Sequence, residues 1–168
     1  MKKIISLVLI FSLIMVIQLF AEDVIIPDSI QQKIQNINKA QRFDYLSKAS
    51  EEWRSRNGEL SLIYAQLAFE ESTIQSKEEY KTDALLLLGY AYTYLGEYDT
   101  AIYIGSQALS NYKDVDDIIG CKLLLASALN GTAEYHQSIE YSEEVIKYYE
   151  KNNDSVNIYD ALSVFAIS

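Results

Sequence analysis

The chain has one cysteine, one histidine, one proline and six glycines among 168 residues. A single cysteine excludes any intrachain disulfide. Cys121 sits in the apolar run Ile118-Ile119-Gly120-Cys121-Lys122-Leu123-Leu124-Leu125 and is expected to act as a small buried hydrophobe. His136 has no second histidine or nearby cysteine to complete a metal set, and no partner to make it a catalytic base. It is expected on a solvated surface. The glycines form no phosphate-cradling loop, and no serine occupies a nucleophile elbow. Basic residues are also scarce, 14 against 24 acidic ones, a formal charge of −10. Such a surface repels nucleic-acid phosphates and anionic headgroups, so neither is an expected partner. No cofactor is implied, and an enzyme is not expected.

What is present starts with an address. Met1-Lys2-Lys3 is a short basic stretch, Ile4 to Phe20 is an apolar run of 17 residues without charge, and Ala21-Glu22-Asp23 comes next. That is the layout of a bacterial secretory signal with a cut after Ala21, although Leu19 occupies a place where a small residue is usual. Residues 1–21 are therefore expected to be a signal peptide. The alternative is an N-terminal anchor in the inner membrane through residues 4–20, since 17 residues lie at the lower limit for a spanning helix. Both readings place the remainder in the periplasm or outside the cell, with the membrane touched only through the leader. Cleavage would leave 12 basic against 24 acidic residues, a charge of −12. The acidity is read first as solubility, and as a preference for basic partners second.

Residues 22–41 read as a linker and a short helix. Ile30, Ile34 and Ile37 share one face over 28–40, with Asp28 as the cap, and form an N-terminal lid over the first hairpin. From residue 42 to 168 one unit recurs. At a step of 37 residues Tyr98 meets Tyr135, Ala101 meets Ser138, Ile102 meets Ile139, Ala108 meets Val145, and Gly89 meets Ala126. At 40 residues in the other direction, Ala101 meets Ser61, Gly105 meets Ala65 and Ala108 meets Ala68. A step of 77 carries Asp83-Ala84-Leu85 onto Asp160-Ala161-Leu162, Leu88 onto Phe165 and Gly89 onto Ala166. Within a unit, Leu85, Leu88, Gly89 and Tyr92 follow helical spacing, as do Ala101, Gly105 and Ala108. Between them Gly96 is suited to the left-handed conformation that ends a helix, and Asp99 to the start of the next. Each unit is thus a helical hairpin that must stack on its neighbours to bury its faces. The apolar set Leu46, Ala49, Ser50 and Trp53 implies one extra residue in the first unit's turn, around Arg54 to Gly58.

Leu85, Leu88-Gly89, Tyr92, Ala101, Gly105 and Ala108 fall at the places of the tetratricopeptide pattern, and the chain resembles that family in an extended-period bacterial form. Two departures stand out: Gly105 replaces an aromatic residue, and no proline closes a unit. Polar stretches, 113–117 and 151–155, join the hairpins instead. The resemblance implies an all-α fold, an α-solenoid of stacked antiparallel helical hairpins wound as a right-handed superhelix. Three hairpins and a trailing helix are expected. That helix ends at Ala166-Ile167-Ser168 without polar capping, so the chain is expected to continue beyond Ser168; the alternative is that this helix itself caps the array with its aromatic face turned inward.

In that family the first helix of each hairpin lines the concave groove. The resemblance assigns this role to Leu86, Tyr90, Thr93 and Tyr94 in the central unit and to Leu123, Ser127 and Asn130 in the next. None of these seven is lysine or arginine, which disfavours the clamp that some family members use for a peptide's terminal carboxylate. The paired acids Glu51-Glu52, Glu70-Glu71, Asp116-Asp117 and Glu143-Glu144 are consecutive, and neighbours on a helix diverge by about 100°. They read as solvated faces rather than as catalytic pairs. The expected function is an exported scaffold in the cell envelope that binds a protein or peptide. The competing expectation is the sensory input region of a membrane-bound histidine kinase or diguanylate cyclase.

Overall fold

A computed structural model describes residues 26–166. The leader and the end at Ser168 lie outside the described residues. Among these residues the fold is all-α, with eight helices and no strand, and no helix is long and apolar enough to cross a membrane. The chain divides into two compact units between Asn36 and Ile37.

The described part of the first unit holds one helix, α1 (Asp28–Gln35). Its cap is Pro27, whose carbonyl accepts from the Ile30 amide at 2.9 Å, and not Asp28 as the sequence suggests. Asp28 lies one place further in, where its charge complements the helix dipole. The helix also stops short of residue 40. Asn38 opens a new helix by accepting from the Ala40 amide at 3.1 Å, so Ile37 falls in the break.

The second unit is an all-α helical repeat solenoid. Its hairpins are α2 (Lys39–Trp53) with α3 (Gly58–Gln75), α4 (Glu78–Leu95) with α5 (Tyr98–Asn111), and α6 (Val115–Gly131) with α7 (Tyr135–Lys151). A trailing helix, α8 (Ser155–Phe165), follows. Each helix packs on the next in sequence.

The second helix of every hairpin presents small side chains at i, i+4 and i+7, one face of a helix. They are Ser61, Ala65 and Ala68 in α3, Ala101, Gly105 and Ala108 in α5, and Ser138, Ser142 and Val145 in α7. All nine are buried. Large side chains of the first helices fill the space this leaves. Leu46, Leu88, Leu124 and Leu125 are fully buried, each stabilising the fold by about 1.5–3 kcal/mol. Leu124 lies where a Cβ on Gly89 would stand, 2.3 Å from its Cδ2, and Leu125 lies 2.9 Å from a Cβ on Gly105. A leucine of the following hairpin thus occupies the volume that a larger side chain at Gly105 would need.

Two hairpins are pinned by a serine at equivalent places. In α3 the Ser61 hydroxyl donates to the Ser50 carbonyl at 2.9 Å, and the Ser50 hydroxyl returns a bond to the Ser61 carbonyl at 3.1 Å. In α7 the Ser138 hydroxyl donates to the Ala126 carbonyl at 2.8 Å. These contacts correct the reading of the first turn. Residues 54–57 do form a longer connection than 96–97, but α2 ends sooner. From Ser50 to Ser61 is 11 residues, against 12 from Ala126 to Ser138, so the first hairpin is one residue shorter overall.

Gly96 takes φ +79° and closes α4 as expected, with Gly96 N–H on the Thr93 carbonyl and Glu97 N–H on that of Tyr92. Thirty-seven residues on, Ala133 makes the same turn at φ 62°, with Ala133 N–H on the Asn130 carbonyl and Glu134 N–H on that of Leu129. An alanine is strained there, because its Cβ crowds the backbone. Ala133→Gly is expected to stabilise the fold by about 0.5–1 kcal/mol, the relieved strain less the extra entropy of an unfolded glycine. A urea melt checks it. Cys121 is fully buried at the position held by Ala84 and Ala161 in the neighbouring first helices, all three at 0% exposure. Burial, and secondarily Asp117, pushes its thiol up to about 12, so it stays protonated and unreactive at neutral pH.

Candidate partner-binding groove

The first helices α2, α4, α6 and α8 each touch the next first helix in the row, whereas successive second helices make no comparable contact. The row of first helices is therefore the inner, tighter side of the array, and the second helices splay on its outside. Every residue singled out from the sequence lies on a first helix, and none of the seven is fully buried. They do not form one continuous strip.

Leu86 and Tyr90 lie in a recess of about 450 Å³ between α2 and α4, with Phe43, Ser47, Glu51, Arg54, Asp83 and Leu87 among its walls. The Arg54 guanidinium stands 4.6 Å from the centroid of the Tyr90 ring, a cation held on an aromatic face. Burial raises the Tyr90 phenol well above its ordinary range, with Arg54 opposing the shift. Leu86 reaches towards α6, where its Cδ1 is 3.2 Å from a Cβ on Gly120. Burial raises the Asp83 carboxyl, and Asp117, Glu79 and Glu51 push it further in the same direction. Asp117 is raised likewise by burial, then by Asp114, Asp116 and Glu79. Carboxylates from three successive first helices thus face one another across this end of the groove.

Thr93, Tyr94, Ser127 and Asn130 share a second recess, about 470 Å³, with Tyr98, Gly131 and Val164. Tyr94 is 55% exposed, the most accessible of the seven. Two of its neighbours spend polar groups internally: Thr93 donates to the Gly89 carbonyl at 2.9 Å, and the Asn130 amide donates to the Val164 carbonyl at 2.8 Å. The Tyr98 ring closes the floor, lying 2.3 Å from where a Cβ on Gly131 would stand.

Leu123 belongs to neither recess. It packs half-buried against Ile119, Val145 and Ala161. A third recess, about 490 Å³, joins Asp116 and Ile119 of α6 to Tyr148 and Tyr149 of α7 and to Asn152, Asp154 and Asn157. The Tyr148 hydroxyl donates to the Asp116 carboxylate there. Sequence reasoning confined to first helices misses it, because Tyr148 and Tyr149 come from a second helix and Asn152 and Asp154 from the connection after it. The adjacent tyrosines at the end of α7 are the one signal pointing to it. His136 is 91% exposed beside Glu140 at 3.6 Å, as expected for a solvated side chain. Among the described residues no group of three or more histidine, cysteine or acidic side chains is placed to hold a metal ion.

No protein-family model matches the chain, and no match is found among curated proteins or solved structures.

Proposed function

We propose that the chain is a tetratricopeptide-like scaffold, exported to the cell envelope, which binds a segment of another protein along its first helices and carries out no chemistry. The observation that carries this reading is the pair of open recesses on the inner side of the array. One offers Leu86 and Tyr90, the other Tyr94 with Ser127 and Asn130. Tyr94, 55% exposed on a rigid helix, gives a partner apolar area at little entropic cost. The carboxylates of Glu51, Asp83 and Asp117 at the same side add a preference for basic segments over acidic ones.

Peptides selected on the full chain from a random display library test this. Tyr94→Ala and Ser127→Arg alter accessible positions, so the helical content is expected to stay. Affinity for the selected peptides is expected to fall by about tenfold, equivalent to about 1.4 kcal/mol. Tyr103→Ala, at an exposed place on the second helix α5, is expected to leave it unchanged. Equal affinity in all three variants would move the binding surface elsewhere.

A further inference from the structure

The recess that joins α6, α7 and the start of α8 is set apart by what its walls can still bond. Its side-chain donors are engaged within the chain. The Tyr148 hydroxyl donates to the Asp116 carboxylate, Asn152 Nδ2 to the Tyr148 carbonyl at 3.0 Å, and Asn157 Nδ2 to Asp154 Oδ2 at 2.6 Å. What the walls offer beyond these bonds is mainly oxygen: the second oxygen of Asp116 and the amide oxygens of Asn152 and Asn157. Asp116 and Asp154 both carry negative charge, and no lysine, arginine or histidine is among the described residues that form the walls. Later helices of the array do not cover such a corner. In the hairpin before, Glu79, Asn111 and Asp114 hold the places of Asp116, Tyr148 and Asp154. All three are exposed although α7 and α8 follow.

Two aromatic rings add apolar walls. Tyr148 and Tyr149 stand 5.7 Å apart at 70° and line the recess together with Ile119. Elsewhere the chain sets its own cation on a tyrosine: Lys77 Nζ lies 4.1 Å from the Tyr80 centroid, and Arg54 lies 4.6 Å from that of Tyr90. Among the described residues no cation stands over Tyr148 or Tyr149. Burial raises the Tyr149 phenol, and Asp154, Asp116 and Asp160 push it further. The bond to Asp116 raises the Tyr148 phenol, followed by burial and by the charges of Asp116 and Asp114. The charges that bear on both rings are thus carboxylates. We propose that this recess binds an organic cation with a primary ammonium head on a short alkyl stem. The stem lies against Ile119 and the tyrosine rings, which attract a cation, and the head donates to Asp116 and the neighbouring amide oxygens. A volume of about 490 Å³ admits a small amine or one lysine side chain. The site is separate from the two recesses of the groove, and its test does not depend on them.

The probe is n-butylamine, protonated at neutral pH and titrated against the full chain by ligand-observed NMR. Butyrate and butyltrimethylammonium serve as its counterparts. Saturable binding of the amine is expected, and none of butyrate. The methylated cation is expected to bind about tenfold more weakly or worse, because it has no N–H to donate. This arm does not depend on the folding of any variant chain. Asp116→Asn is expected to weaken amine binding by about tenfold, through loss of a charge-assisted bond. Asp99→Asn, which removes the same charge from an equally exposed place on α5, is expected to leave it unchanged. Lysine blocked at both ends, as N-acetyl-lysine methylamide, separates the two sources. Binding equal to that of butylamine would assign the recess to a lysine of a partner protein, and failure beside a bound butylamine would assign it to a free amine. Absence of saturable amine binding would overturn the proposal, as would equal affinity for the methylated cation. Amine binding that survives Asp116→Asn would overturn it too, by placing the amine elsewhere. An equal loss in both variants would do the same, by reducing the attraction to the net charge of the chain.

Discussion

Gly89→Leu is expected to destabilise the fold by about 1–3 kcal/mol through overpacking. The reason lies across the hairpin boundary. A Cβ at residue 89 would stand 2.3 Å from Leu124 Cδ2 and 3.2 Å from its Cδ1, so even alanine intrudes before any larger group is added. Leu124 is fully buried and has no solvent into which to turn. Relief then requires α4 and α6 to separate, which loosens the stacking of two hairpins at once. A urea melt followed by circular dichroism reads the shift. An unchanged midpoint would mean that Leu124 does not lie against Gly89.

Leu124→Ala carries the larger expected loss, about 2–5 kcal/mol, because it removes a fully buried side chain at the junction of α4, α5 and α6 and leaves a cavity there. Gly105 meets the same side chain at 3.4 Å, so the void would open onto both helices of the central hairpin. The two substitutions are also coupled. In Gly89→Ala with Leu124→Ala, the added methyl occupies space the leucine vacates, and the double loss is expected to be smaller than the sum of the single ones by about 0.5–3 kcal/mol. Strict additivity would place the two residues out of contact.

Much of this architecture can be read from the residues. The steps of 37 and 40 that align Ala101 with Ser138 and Ser61 pick out the first residue of each buried small-residue face. The repeat works because every second helix meets a first helix closely, so eight of the nine residues at that spacing are serine, alanine or glycine and the ninth is Val145. Gly96 is legible for a related reason, since only a glycine adopts φ +79° without strain. Its counterpart Ala133 is not, because alanine gives no sign of the left-handed turn it is made to adopt by the helices on either side.

The departures from the sequence pattern have physical causes as well. Ile30, Ile34 and Ile37 keep helical spacing across a break, so periodicity alone joins α1 to the start of α2. The interruption comes from Asn38, whose side chain satisfies the Ala40 amide and favours a new helix start. The length of the first hairpin is misread from its apolar set because the end of α2 and the length of its turn change in opposite directions. Only the Ser50–Ser61 contact fixes their sum. In the candidate groove, position on a first helix is legible but depth is not. Leu123 has the same repeat register as Leu86, yet it lies half-buried against Ile119, Val145 and Ala161. Which neighbour covers a side chain depends on the next hairpin, and this lies outside the pattern of any single unit.

The claim on which the groove rests is that first helices stack directly on one another while second helices do not. Paired cysteines in a Cys121→Ser background test it, joined by a short bifunctional maleimide. Leu86→Cys with Gly120→Cys places thiols on α4 and α6 where Leu86 Cδ1 now stands 3.2 Å from a Cβ on Gly120. Ser106→Cys with Glu143→Cys places them at exposed sites on α5 and α7, 37 residues apart like the repeat itself. The predicted result is rapid intrachain crosslinking of the first pair in the folded chain and none of the second. Crosslinking of the second pair without the first would put the second helices on the inside and contradict the arrangement.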